Sequence, residues 1–175
     1  YIPIPAYENF ITSILNVENA GVWQGKLIYV SNATMDVGAL YVLIAATYSL
    51  AKYYNTDKLQ ATLTSLAAFL VVTPYVFGDN GGNIPMTKVG AQAMFLAIIV
   101  SIVSVEVYRK IEQKGIVIKM PAAVPPAVAK PFASIIPAFI SITLFYIVRL
   151  ILEITMSSDL FTVINTIVGK PLLIV

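Results

Sequence analysis

Polar and apolar residues are segregated along this chain. Four windows carry no charged residue over membrane-like lengths: 37–51, 59–78, 89–105 and 131–148. A helix that crosses a bilayer needs about 20 mostly apolar residues, with roughly 17–25 tolerated. Flanking residues bring each window near that length, which predicts spans at about 35–54, 60–78, 89–109 and 132–152. Two shorter stretches show a one-sided helical pattern instead. Tyr7, Phe10, Ile11, Ile14 and Leu15 fall on one helix face, the i, i+3, i+4, i+7 spacing of an amphipathic helix. The second opens at Ser158 or Asp159 as N-cap and stops before Gly169 and Pro171, with Leu160, Phe161, Val163, Ile164, Ile167 and Val168 apolar. Neither has the basic polar face of a lipid-binding helix, so both are expected to pack on the protein's own flank. Residues 18–34, around Gly21, Gly25 and Ser31-Asn32, read as a loop with short order at most. Residues 78–90 read as a second, glycine-rich loop.

Composition agrees. Apolar residues make up 58% of the 175 residues and charged residues 11%, against roughly 45–50% and about 25% in soluble domains. The alternative is a soluble protein with buried core helices, but four such windows leave little polar sequence to cover them. The expected fold class is therefore all-α integral membrane, about four transmembrane helices plus two short amphipathic interfacial helices. The absence of cysteine and histidine removes thiol chemistry, thiolate metal ligation and the commonest general base. No catalytic residue, metal site or cofactor is expected. A net charge of +2 does not argue for nucleic acid.

The basic residues give an orientation. Lys52 and Lys58 follow the first span, and Arg109, Lys110, Lys114, Lys119 and Lys130 follow the third, seven of the 11 Lys and Arg. The positive-inside rule makes 52–58 and 109–130 cytoplasmic. The start at Tyr1 and the end at Val175 both read as cuts within a longer protein, with YIPIP as the tail of a preceding helix.

Candidate chemistry is sparse. Glu106 reads either as an intramembrane carboxylate for substrate or proton or as a helix-end residue paired with Arg109 or Lys110. Arg149 and Glu153 are spaced for an i,i+4 pair. Asp36 and Asp57 fall at span ends. Asp79, Asn80, Asn83 and Gln92 suit sugar hydroxyls, and equally suit the turn geometry of a glycine-rich loop. Ala93, Ala97 and Ser101 in the third window, and Gly38, Ala45 and Ser49 in the first, are candidate helix-packing positions, because small residues let backbones approach closely in lipid.

The stretch from Gly115 to Pro137 is unusual: apolar, with prolines at 121, 125, 126, 131 and 137. Proline lacks the backbone donor and fixes φ, so Pro121 to Pro131 is not expected inside a helix. It reads as a long cytoplasmic loop over 111–131, either a plain connector or a dimer contact through Ile116, Ile118 and Met120.

The words VPPAVAKPFASIIP at 124–137, preceded by AQAMFLAIIVSIVSVEVYRKI at 91–111 with Glu106, Tyr108 and Arg109 at its turn, resemble the membrane component, enzyme IIC, of the bacterial sugar phosphotransferase system. The match is to the lactose/cellobiose/chitobiose branch. It is specific over 91–137 and compositional elsewhere. The resemblance implies a multi-pass protein of the bacterial plasma membrane. Its substrate would be a disaccharide, and it would work with a IIB protein that phosphorylates the sugar on the inner face. It implies that residues 1–175 are one transmembrane scaffold lobe that dimerises, with the sugar site in a half beyond this sequence. The rivals are a fragment of an unrelated secondary transporter and a non-transporting membrane anchor.

Overall fold

The computed structural model describes residues 20–78, 81–121, 123–156 and 159–169. The amphipathic helix expected at Tyr7–Leu15 lies outside them. The chain divides into two compact units, Tyr1–Asp36 and Val37–Val175.

In the first unit, α1 spans Ala20–Met35. This corrects the loop expected over 18–34. Glycine costs a helix interior about 1 kcal/mol, a penalty that a run of helix-tolerant residues can absorb. The polar stretch at its end bonds back to its own backbone: Thr34 Oγ1 lies 2.9 Å from the Val30 carbonyl. Such back-bonding satisfies the hydroxyl within the helix at only a slight cost in stability.

The second unit contains α2 (Gly38–Tyr53), α3 (Lys58–Val72), a hairpin of β1 (Val76–Gly78) and β2 (Gly81–Asn83), and two 3-10 turns at Met86–Lys88 and Ala91–Ala93. Then come α4 (Met94–Gln113), α5 (Pro126–Met156) and α6 (Leu160–Ile164), which runs into a π turn at Asn165–Gly169. α2 packs against α3 and α4, α3 packs against α4 and α5, and α4 also meets α5. The core at these crossings mixes alanines with larger residues, including Ala39, Leu43, Ala68, Phe69, Val72, Ala93, Leu96, Ala97 and Val100. Phe145 of α5 and Phe161 and Ile164 of α6 complete it. In α6 the N-cap is Asp159, whose side chain accepts from the Thr162 N–H at 2.6 Å.

Three helical stretches are long and apolar enough to cross a membrane: Ile28–Tyr53, Met86–Gln113 and Pro126–Thr155. The span expected at 60–78 is shorter. α3 stops at Val72 and is about 22 Å long at 1.5 Å per residue. Proline at 74 explains the stop, because it disfavours helical backbone in the preceding residue. Thr73 leaves the helix at ψ 133 and seals its end through Oγ1 to the Phe69 carbonyl at 2.7 Å. Outward side chains along these helices are large and apolar, among them Tyr41, Ile44, Leu63, Ile98, Ile102, Ile135, Phe139 and Ile147. Soluble proteins do not expose apolar surface on that scale. Lipid does not penalise it.

The proline segment differs from expectation at both ends. α4 runs through Gln113 and α5 begins at Pro126, so the connector covers 114–125 rather than 111–131. Pro131 and Pro137 both sit inside α5. Pro126 occupies the first helical turn, where the missing N–H costs nothing, and the Pro125 carbonyl accepts from Val128 and Ala129 at 2.9 and 3.0 Å. Each interior proline removes one i→i−4 bond, and membrane helices tolerate this when neighbouring helices and side-chain hydroxyls compensate. Ser134 Oγ lies 2.7 Å from the Pro131 carbonyl.

Candidate functional site

Four helix ends converge at the end of the unit that carries the basic residues. α2 closes with Asn55 in the left-handed region, φ 56, where the N–H of Thr56 reaches the Ala51 carbonyl at 3.0 Å. α4 closes the same way, with Gly115 at φ 69 and Ile116 N–H on the Ile111 carbonyl at 3.3 Å. Both arrangements satisfy carbonyls that a helix end leaves free. Asp57 follows the first cap directly and starts the next helix, its Oδ1 accepting from the Gln60 N–H at 3.1 Å. The reversal between α2 and α3 is therefore fixed within three residues, Asn55 to Asp57, that end one helix and cap the next.

These ends enclose two open clefts that share Thr56, Asp57 and Lys130. The larger, about 600 Å³, is also lined by Tyr48, Lys58, Leu59, Gln60, Ala127 and Pro131. The smaller, about 290 Å³, adds Asn55, Tyr108, Glu112, Val117 and Ala133. Two polar contacts cross between α3 and α5 here. Lys130 Nζ lies 3.6 Å from Asp57 Oδ2, and Ser134 Oγ lies 3.1 Å from Gln60 Oε1. Sequence reasoning missed both, because it placed Lys130 in a loop. Extending the helix back to Pro126 puts Lys130 and Ser134 four residues apart on one face.

Glu106 is committed to its own helix. Arg109 grips it through two bonds, Nη2 to Oε1 at 2.7 Å and Nε to Oε2 at 3.1 Å. Lys110 adds a third contact at 3.3 Å, and the Arg109 guanidinium lies 4.6 Å from the centre of the Tyr54 ring. The geometry matches the helix-end pairing reading, with both carboxylate oxygens engaged by Arg109. Arg149 pairs with Glu153 at 2.8 Å as its spacing predicts. Its Nη1 also donates to the Val71 carbonyl at 2.8 Å. A cation on the last turn of α3 is favoured by the helix dipole, so Arg149 ties α5 to the point where α3 breaks.

The packing candidates divide. Ala97 and Ser101 are buried along α4, Ala93 is buried in the turn that leads into it, and Gly38 is buried at the start of α2. A Cβ at Gly38 would lie 2.9 Å from Met94 Cε. Ala45 and Ser49 are exposed, and this corrects the α2 face. Its packing positions are Gly38, Ala39, Leu43, Thr47 and Ala51, a 3.6-residue stripe that includes one large residue and therefore escapes a search for small ones. Across α4 and α5, Ser104 and Ser141 meet in the interior with hydroxyls 3.3 Å apart.

The dimer candidates Ile116 and Ile118 are 47% and 36% exposed, and Met120 is half-buried. Among the sugar candidates, Asp79 and Asn80 lie outside the described residues. Asn83 is exposed and pairs with Val76 across the hairpin. Gln92 is exposed in the second 3-10 turn. Neither residue lines the two clefts, which lie at the other end of α3. Among the described residues no group of acidic side chains is placed to hold a metal ion.

Comparison with known proteins follows the same outline. The family pattern "Phosphotransferase system, EIIC" matches residues 2–174. The cellobiose-specific EIIC component of Geobacillus stearothermophilus is 40% identical over 98% of this chain and 40% of its own length. The lichenan permease IIC component of Bacillus subtilis (strain 168) is 38% identical over 98% of this chain and 39% of its own. In structure the chain is similar to the transporter ChbC, the IIC component from the N,N'-diacetylchitobiose-specific phosphotransferase system. The TM-score is 0.83 at 36% identity, covering 98% of this chain and 41% of ChbC. The chain thus spans about two fifths of the length of the relatives it matches. With the pattern followed from residue 2 to residue 174 and the helical path shared with a solved member, the chain belongs to the phosphotransferase system EIIC family of multi-pass plasma-membrane proteins.

Proposed function

We propose that this chain is the helical scaffold lobe of an EIIC permease that moves a disaccharide of the cellobiose or chitobiose type across the bacterial membrane. Uptake is coupled to phosphorylation of the sugar by a partner IIB protein at the inner face. The observation that carries this reading is the extent of the similarity. Nearly the whole chain aligns with cellobiose, lichenan and diacetylchitobiose components, and always with about two fifths of them. The internal packing supports a scaffold role. Glu106, Arg109, Arg149 and Glu153 are spent on contacts between or within helices. The test is phosphoenolpyruvate-dependent uptake of radiolabelled cellobiose by bacteria that lack their own cellobiose permease and express the full-length protein. Unlabelled N,N'-diacetylchitobiose and lactose serve as competitors. Uptake abolished by removing the IIB protein is expected. Uptake that persists without it would point to a secondary transporter.

The same reading makes the lobe a homodimer, with the 114–125 connector at the contact. Proline restricts the unfolded states of this connector, so holding it against a partner costs less entropy than for an ordinary loop. Burial of an exposed isoleucine contributes up to ~1.5–3 kcal/mol. The double change Ile116→Asp with Ile118→Asp is expected to weaken association in analytical ultracentrifugation in mild detergent, since each carboxylate must be desolvated at the contact. Undiminished dimerisation of the double variant would leave the segment a plain connector.

A further inference from the structure

The larger cleft at the basic end is amphipathic. Lys58 and Lys130 line it together with the apolar surfaces of Tyr48, Leu59, Ala127 and Pro131. Exposed apolar side chains continue from it along both flanking helices, Leu59 and Leu63 on α3 and Val128, Phe132 and Ile135 on α5. α3 and α5 pack directly on each other. Cations beside exposed apolar helix faces complement a phospholipid, which joins an anionic phosphate to apolar acyl chains. Asp57 offsets one of the two lysines and also fixes it, holding Lys130 Nζ at 3.6 Å. Lys130 remains 67% exposed, with protons left to donate. Lys58 makes no ion pair among the described residues, and its ammonium lies 5.9 Å from the centre of the Tyr48 ring. Its charge is available to an anion.

We propose that this cleft seats the headgroup of an anionic phospholipid, with the acyl chains lying along the exposed faces of α3 and α5. Basic pockets between membrane helices on the cytoplasmic side attract such headgroups, and each lysine near the surface contributes about fivefold in affinity. The inference rests on the membrane placement proposed above, with the basic end at the cytoplasmic border.

The test places a photoreactive residue, Leu59→p-benzoylphenylalanine, in the full-length protein within nanodiscs of equal parts phosphatidylglycerol and phosphatidylcholine. Adducts are identified by mass spectrometry. Phosphatidylglycerol adducts in clear excess are expected. Lys58→Gln is expected to reduce that excess about fivefold, and Lys114→Gln with Lys119→Gln, at the same end but outside the cleft, is expected to reduce it less. Using Lys58 alone spares the Asp57–Lys130 contact, so a folding defect does not obscure the result. Equal capture of the two lipids would overturn the proposal, as would a control pair that costs as much as Lys58. Adducts to protein would show that a second copy or another segment of the chain fills the groove. Loss of the lipid adduct on adding inorganic phosphate would assign the cleft to free phosphate. Capture of neither lipid would contradict the membrane placement itself.

Discussion

Asp57 joins local structure to packing at a single residue. One carboxylate oxygen caps α3 and the other reaches Lys130 on α5. The two roles are separable. Asparagine caps a helix about as well as aspartate but carries no charge, whereas alanine does neither. Asp57→Asn is expected to cost no more than ~1 kcal/mol, the worth of a solvent-exposed ion pair. Asp57→Ala is expected to cost a further ~1 kcal/mol for the cap. Unfolding in detergent, followed by circular dichroism, checks the order. Equal losses would mean that the cap contributes nothing. Gly115 offers a second residue-scale test. A Cβ there would meet nothing within 4 Å, so only its φ of 69 matters. Gly115→Ala is expected to lower stability by about 1–2 kcal/mol through left-handed strain alone, measured the same way.

At the scale of elements, the pattern of charge-free windows located α2 to α5 but not their ends, and it passed over α1. The second window was read through to residue 78 because Thr73 and Pro74 are uncharged. The backbone breaks there for a reason that charge does not register. The fourth helix was read as starting too late for the converse reason: Pro131 looked like a barrier, yet a helix opened by Pro126 passes through it. The loop expected over 18–34 fell to the same overweighting of punctuating residues. The buried face of α4 and of the turn before it was legible because Ala93, Ala97 and Ser101 repeat every four residues. That of α2 was not, since Leu43 and Thr47 break the small-residue signal. The Asp57–Lys130 and Gln60–Ser134 contacts join residues more than 70 positions apart, and no local pattern announces them. The two faces predict opposite responses to bulk. Ala97→Leu forces extra methylenes into a filled crossing and is expected to cost about 1–3 kcal/mol. Ala45→Leu points outward and is expected to be near neutral. Thermal stability of the two variants in one detergent decides, and equal effects would contradict the assigned faces.

For the whole molecule, the helices, the outward apolar surface and the family relationship converge on a membrane protein whose basic end is organised by caps and ion pairs. Everything proposed about sugar phosphorylation, dimer contact and lipid binding depends on which side that end faces. The most direct measurement is single-cysteine labelling of the full-length protein with a membrane-impermeant maleimide, in intact cells and in inverted vesicles. The account predicts that cysteines at Asn55 and Gln113 label only in inverted vesicles and that a cysteine at Asn83 labels only in intact cells. Labelling of Asn83 and Gln113 from the same side would contradict it.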